Sequence, residues 1–225
     1  MKYKSIEIFG DSVLRGVTYD EAGDRYKLRD GSGFDTIGNF GIAVKNNSRM
    51  GATVDRGLDF TQKKLGECDR SHLVIFEYGG NDCDYEWKNI SDAPKGKHSP
   101  HIEPKRYVET YCEMIGTALK KGASVAVTSL VPIDCVKYMR WISRGLSYDN
   151  ILAWLGDESM LSRWQEYYSH LAEDIARRMG CLFIDLRREF LLSHDYGSLL
   201  CADGIHPTQA GHELIENTLA NYVLS

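Results

Sequence analysis

Two hydrophobic patterns alternate along this chain. Short, near-continuous apolar runs fall at residues 5–9, about 41–46, 73–76, 124–127 and 181–185. Runs of that length without polar alternation suit strands covered on both faces. Between them, apolar residues recur three and four apart. Val54, Leu58, Thr61 and Leu65 form one such stripe, and Val108, Tyr111, Cys112, Ile115 and Leu119 form a second. Leu161, Trp164, Tyr168, Leu171, Ile175 and Met179 form the third. Each stripe predicts a helix burying one face, the second starting at Pro104 and stopping at Gly122. Shorter helices are expected over 12–16 and 186–192, and a last one from about 208 to 222. Five strands alternating with helices predict an α/β fold, a parallel sheet with helices on both faces.

Three segments break the alternation. Residues 19–35 are rich in charge and glycine, with a turn signal at Arg29–Asp30–Gly31–Ser32–Gly33, and read as a surface excursion or small hairpin. Residues 84–104 are polar and carry Pro94, Pro100 and Pro104, which predicts a long loop placed to line or cover a pocket. Residues 133–158 are irregular and aromatic, with Tyr138, Trp141, Tyr148 and Trp154. Such rings stack on sugars, line acyl pockets or simply pack an inserted helix, and the sequence leaves these open. The Trp164 and Tyr168 stripe reads as core. No repeat, low-complexity stretch or domain boundary interrupts the chain, so its 225 residues are read as one domain, 1–225.

Composition narrows the function classes. A net charge of −5 argues against a general nucleic-acid or anionic-membrane binder. No window reaches the roughly 20 apolar residues of a membrane span. Met1–Lys2–Tyr3–Lys4 runs straight into the first strand, which leaves no room for a signal peptide and predicts a cytoplasmic protein. The six cysteines lack a C-x-x-C pair and are expected as free thiols filling the core, with Cys83 and Cys201 close to the candidate site. His98–Ser99–Pro100–His101 offers two histidines without an evident third ligand and is read as solvated; no metal or organic cofactor is expected.

Candidate chemistry collects where the strands end. The first strand stops at Gly10–Asp11–Ser12 and the second is followed by Asn47–Ser48–Arg49–Met50–Gly51. The third stops at Gly79–Gly80–Asn81–Asp82, and Asp203–Gly204–Ile205–His206–Pro207 follows the fifth. Ligands of open parallel sheets bind outside the carboxyl ends of the strands, so these segments are expected on one rim. A serine hydroxyl attacks an ester only if a base takes its proton. His206 has the intrinsic pKa for that task, and Asp203, three residues before it, is placed to orient the imidazole. The Ser12 and Gly51 backbone N–H groups and the Asn81 amide are candidate oxyanion donors. Asp11 and Asp82 read as turn-ordering residues.

Taken together and in this order, the four segments resemble the blocks of the SGNH hydrolases, the GDSL esterase/lipase superfamily. The resemblance implies a flavodoxin-like three-layer α/β/α sandwich with a five-stranded parallel sheet of order 2-1-3-4-5. It implies Ser12 as nucleophile, His206 as base, Asp203 as third member, and Ser12, Gly51 and Asn81 as the oxyanion hole. Val13 stands where the family often has leucine, and the block containing Gly51 is the loosest match. The G-x-S-x-G elbow of the α/β-hydrolases is missing from the sequence.

The expected activity is ester hydrolysis through an acyl-enzyme, on short-to-medium acyl groups, with an acylated carbohydrate among the expected small-molecule substrates. Lysophospholipase, thioesterase and acyltransferase chemistry use the same residues and remain alternatives. A non-catalytic carbohydrate-binding module on the same fold is the competing reading from another class. A flavin or nucleotide site is disfavoured because the first loop has no glycine-rich phosphate-binding run. Oligomeric state is not readable from the sequence.

Overall fold

The computed structural model describes residues 2–30 and 34–224, so the Gly31–Gly33 part of the expected turn lies outside the described residues. The chain begins with β1 (Ser5–Gly10), α1 (Ser12–Arg15) and a hairpin of β2 (Val17–Asp20) and β3 (Arg25–Leu28). It continues through α2 (Asp35–Gly38), β4 (Ala43–Asn46), α3 (Val54–Lys64), β5 (His72–Glu77), α4 (Trp87–Asp92), α5 (Pro104–Lys120) and β6 (Ser124–Thr128). The second half holds α6 (Cys135–Ile142), α7 (Tyr148–Leu155), α8 (Ser159–Arg178), β7 (Leu182–Ile184) and α9 (Leu186–Leu191). A 3-10 turn at Tyr196–Leu199 and α10 (Gln209–Leu224) close it.

The main sheet is parallel, in the order β4-β1-β5-β6-β7. Counting only its own strands, that is the expected 2-1-3-4-5, and the fold is the expected α/β sandwich. Side chains alternate across it, as the pleat requires. Phe9, Val74, Phe76, Val125 and Val127 enter one core, against α3, α5 and α8. Ile6, Ile8, Leu73, Ile75 and Ala126 enter the other, with Leu186, Phe190, Ile215 and Leu219 from α9 and α10. Both faces are covered, which is why the strands read as unbroken apolar runs.

The structure adjusts several expectations. The segment 84–104 is not loop throughout: α4 occupies Trp87–Asp92, with Ile90 buried and Lys88 paired to Asp92 one turn on, and Pro94 follows directly. The excursion near residue 20 is the β2–β3 hairpin. The buried face of α5 centres on Tyr107, Tyr111, Met114, Ile115 and Ala118, with Val108, Cys112 and Leu119 at its margin. That shift follows from the aromatic volume of Tyr107 and Tyr111, both fully buried, which claims the centre of the interface. The 133–158 segment folds as α6 and α7, which with α4 enclose a third, smaller cluster around Ile90, Ile133, Met139, Ile142 and Ile151. Among the described residues, no helix is long and apolar enough to cross a membrane.

Candidate active site

The site begins where β1 stops. Gly10 pairs with Glu77 across the sheet, and a methyl group added at Gly10 would lie 3.0 Å from Glu77 Oε2 and 3.2 Å from Ser48 Oγ. Only glycine lets the loops after β1, β4 and β5 meet this closely. Asp11 then caps α1, its Oδ1 accepting from the Val13 N–H at 2.8 Å, and this fixes Ser12 at the first helical position. Ser12 is buried, and the helix ends one turn later at Gly16.

The histidine loop comes to meet it. Asp203 accepts the Ile205 and His206 N–H groups on Oδ1, both at 3.0 Å, and contacts His206 Nδ1 through Oδ2 at 2.6 Å. A carboxylate only accepts, so Nδ1 carries the proton and donates it; His206 Nε2, 2.9 Å from Ser12 Oγ, is left to accept from the hydroxyl. Burial pushes the Asp203 carboxyl up. The His206 hydrogen bond and charge, with the two backbone donors, outweigh that and hold it below its ordinary value. The loop needs Gly204: its φ is +75°, and a Cβ there would come within 2.6 Å of Asp134 O and of Tyr138 N at the start of α6. Asp134 N–H donates to Gly204 O at 2.9 Å, tying the loop to that helix.

The third segment supplies polar groups beside Ser12. Asn81 Nδ2 donates to Asp11 Oδ2 at 2.9 Å and to Ala52 O at 3.2 Å. The first bond fixes the amide; the longer one is what a bound carbonyl oxygen would compete with. Gly51 is exposed, at φ +69°, and is not among the residues lining the cleft beside Ser12. Its loop is pinned to the end of β1 through Arg49 N–H donating to Gly10 O at 2.9 Å.

Beneath these residues lie carboxyl groups that sequence reasoning either missed or read as turn formers. Glu77 Oε2 accepts from the Asp11 N–H at 3.2 Å. Burial, then the neighbouring Asp11 charge, pushes Glu77 well above its ordinary value. Asp11 is itself raised by burial, against the pull of Val13, Glu77, His206 and Asn81. Asp82 is fully buried, accepts from the Val54 N–H at 2.9 Å, and is pushed up to about 8 by burial. Glu77 could have been flagged as a charge ending an otherwise apolar strand.

A cleft of about 110 Å³ opens beside Ser12, Asn81 and His206. Tyr85 and Trp87 from the 84–104 segment, Tyr138 and Trp154 from the aromatic insert, and Trp164 from α8 line it. Trp164, read as core, thus serves both the core margin and the cleft. Tyr26 of the hairpin sets its ring 4.8 Å from that of His206, tilted by 54°, and Trp141 of α6 packs edge-on against Tyr19 at 4.7 Å. No sequence signal pointed to Tyr26.

The remaining candidates are packing groups. Cys83 donates to Gly80 O, and burial pushes its thiol well up, away from reactivity. Cys201 sits between Thr18 Oγ1 and Pro207 O. His98 bonds Ala93 O, and His101 bonds Asn81 O and Glu86.

Comparison with known proteins follows the same line. No curated protein matches the sequence. Solved structures share the fold at low identity. A lipase/acylhydrolase from Enterococcus faecalis superposes with a TM-score of 0.67 at 19% identity, over 98% of this chain and 95% of that one. LAE5, an alpha/beta hydrolase enzyme from the metagenome of Lake Arreo, Spain, gives 0.67 at 22% identity, over 99% and 96%. Axe2, an acetylxylan esterase from Geobacillus stearothermophilus, gives 0.68 at 20%, again over 99% and 96%. The model of the GDSL-like lipase/acylhydrolase family matches residues 8–214. Nearly the whole chain is matched by that model, on the sheet order described above, and the protein is therefore an ester hydrolase belonging to the GDSL-like lipase/acylhydrolase family.

Proposed function

We propose that the protein is a serine esterase working through an acyl-enzyme, with Ser12 as nucleophile, His206 as general base and acid, and Asp203 orienting the imidazole. The observation that carries this is the continuous hydrogen-bonded line from Asp203 Oδ2 through His206 to Ser12 Oγ, at 2.6 and 2.9 Å. In the acylation step Ser12 Oγ attacks the ester carbonyl carbon as its proton passes to His206 Nε2, and Asp203 stabilises the imidazolium. The tetrahedral oxyanion is received by the Ser12 N–H, the Asn81 amide and the Gly51 N–H. Collapse breaks the bond to the alcohol oxygen, which takes the proton from His206. Water then attacks the acyl-Ser12 ester, giving its proton to His206, and the acid leaves with Ser12 regenerated.

Support also comes from the acetylxylan esterase among the structural neighbours. Separate catalytic mutants of that enzyme replace a serine, an aspartate and a histidine by alanine. For this chain, the test is covalent. A fluorophosphonate probe should add one phosphonyl group to the intact protein, and peptide mapping should place it on Ser12. Labelling elsewhere, or undiminished labelling of Ser12→Ala, would remove the assignment.

A further inference from the structure

We infer that Tyr26, carried on the β2–β3 hairpin, is a positioning residue that holds the His206 imidazole in place while water attacks the acyl-enzyme. The inference rests on the esterase reading and adds a residue to it.

Hydrogen bonds hold the imidazole by both nitrogens, Nδ1 at 2.6 Å from Asp203 and Nε2 at 2.9 Å from Ser12 Oγ. The second bond disappears once Ser12 is acylated, because an ester oxygen has no proton to donate. One bond at Nδ1 then remains, and the terminal torsion of a histidine lies in a broad well, so the ring is free to swing. Tyr26 supplies the missing restraint, with its ring centre 4.8 Å from that of His206. It also suits the charge of the step. His206 becomes a cation as it takes the proton of the attacking water, and an aromatic ring within about 6 Å attracts a cation. The hydroxyl serves the third member of the site. Burial pushes it well up, and the Asp203 charge and a hydrogen bond to Asp203 add to that, so it keeps its proton beside the carboxylate.

The hairpin is braced where this requires. Tyr26 pairs with Tyr19 across it, their ring centres 5.4 Å apart, and Trp141 of α6 packs against both, at 6.3 and 4.7 Å. The Arg144 guanidinium lies 3.7 Å from the Trp141 ring centre and 3.8 Å from Asp24 in the hairpin turn, to which the Tyr19 hydroxyl also donates. At the base, Arg29 N–H donates to Gly16 O at 2.7 Å and His212 Nε2 to Val17 O at 2.9 Å. Tyr19 N–H donates to Cys201 Sγ at 3.5 Å, and Cys201 N–H donates to His206 O at 2.8 Å. Hairpin and histidine loop therefore share a joint. Neither Tyr26 nor Trp141 lines the cleft beside Ser12, so substitutions there alter the surroundings of the imidazole and leave the cleft walls in place.

The test separates the two half-reactions. Wild type, Tyr26→Phe and Tyr26→Leu are mixed with p-nitrophenyl acetate in a rapid-quench apparatus, and decay of the acetyl-Ser12 adduct is followed by intact-protein mass spectrometry. The rate of labelling by a fluorophosphonate probe reports attack by Ser12 itself. In Tyr26→Leu the adduct should outlast that of wild type by about tenfold or more, with the labelling rate changed far less. Tyr26→Phe keeps the ring and should restore decay nearly to the wild-type rate. Should Tyr26→Leu not fold, Trp141→Leu removes the brace behind the ring and should slow decay in the same selective way. Decay at the wild-type rate in the folded leucine variant, a loss shared equally by labelling and decay, or Tyr26→Phe as slow as Tyr26→Leu would overturn the proposal. Failure of the esterase reading would look different: hydrolysis of the ester insensitive to Ser12→Ala.

Discussion

The loops at the carboxyl edge of the sheet hold their side chains by hydrogen bonds, whereas the helices standing over them hold theirs by ring packing. Asp11, Asn81, Asp203 and His206 each have two or more polar partners within 3.2 Å. Tyr85, Trp87 and Trp154 meet ring to ring, Trp87 adding a hydrogen bond to Asp84. Hydrogen bonds fix atoms to tenths of an ångström and suit groups that must meet a transition state; apolar packing fixes volume and suits groups that must admit or refuse a chain. On the proposed mechanism the floor carries the reaction, and the roof walls the cleft beside it. The two meet at Gly204 and at Asp84.

The comparison is broken most sharply at its centre. Ser12→Ala should lower kcat/KM for every ester about 10⁴-fold or more with the circular dichroism spectrum unchanged. A loss confined to long acyl chains would instead place Ser12 in the specificity machinery. Asn81→Ala should cost about 10²–10³ in kcat, again irrespective of chain length, as for one oxyanion donor.

At the joint between the two regions, Gly204→Ala meets both a left-handed backbone and the start of α6. Urea unfolding should report a loss of about 2–3 kcal/mol, and turnover should fall as well, because Asp203 and His206 move with that backbone. Stability lost with turnover intact would show that the 203–206 loop is held without α6. In the roof, Tyr138→Phe removes one donor from half-buried Asp84 and should cost about 1–2 kcal/mol. The acyl-chain profile should change more than acetate turnover does.

The smallest effect is on pH. Asp82 has its folded pKa raised to about 8, so between its ordinary value near 4 and about 8 the folded protein keeps a proton that the unfolded chain has lost. Its contribution to stability therefore falls as pH rises through that window, by at most about 1.4 kcal/mol per unit, and levels off above about 8. His212 acts oppositely at lower pH: burial brings it down to about 4, so stability rises from there to its ordinary value near 6.5. Asp82 is thus best read between pH 7 and 8, where melting temperature should decline in wild type and less steeply in Asp82→Asn. Equal slopes would show that Asp82 is ionised in the fold.

Much of this molecule was legible in its sequence, and the reason is physical. A strand covered on both faces must be apolar throughout, so β1, β5 and β6 announce themselves as Phe9-, Phe76- and Val127-type runs with little ambiguity. Residues that end such strands lie on one rim whatever the details, which groups Ser12 with Asn81; Asp203 and His206 follow the last strand only after α9 and a 3-10 turn. The α4 helix escaped notice because its six residues carry one buried side chain of size, Ile90, too few to mark a period.

What the sequence determined by itself was therefore the layer order and the identity of the groups at the strand ends, since both follow from local periodicity and chain direction. Only the tertiary structure decided which surfaces came to face those groups. Tyr26 reaches His206 across a hairpin, and Glu77 comes to lie beside Asp11 across the sheet. Trp87, Trp154 and Trp164 assemble around one cleft from three separate helices. Contacts between residues distant in the chain depend on how finished elements pack, and packing is a property of shape that no local pattern of residues encodes.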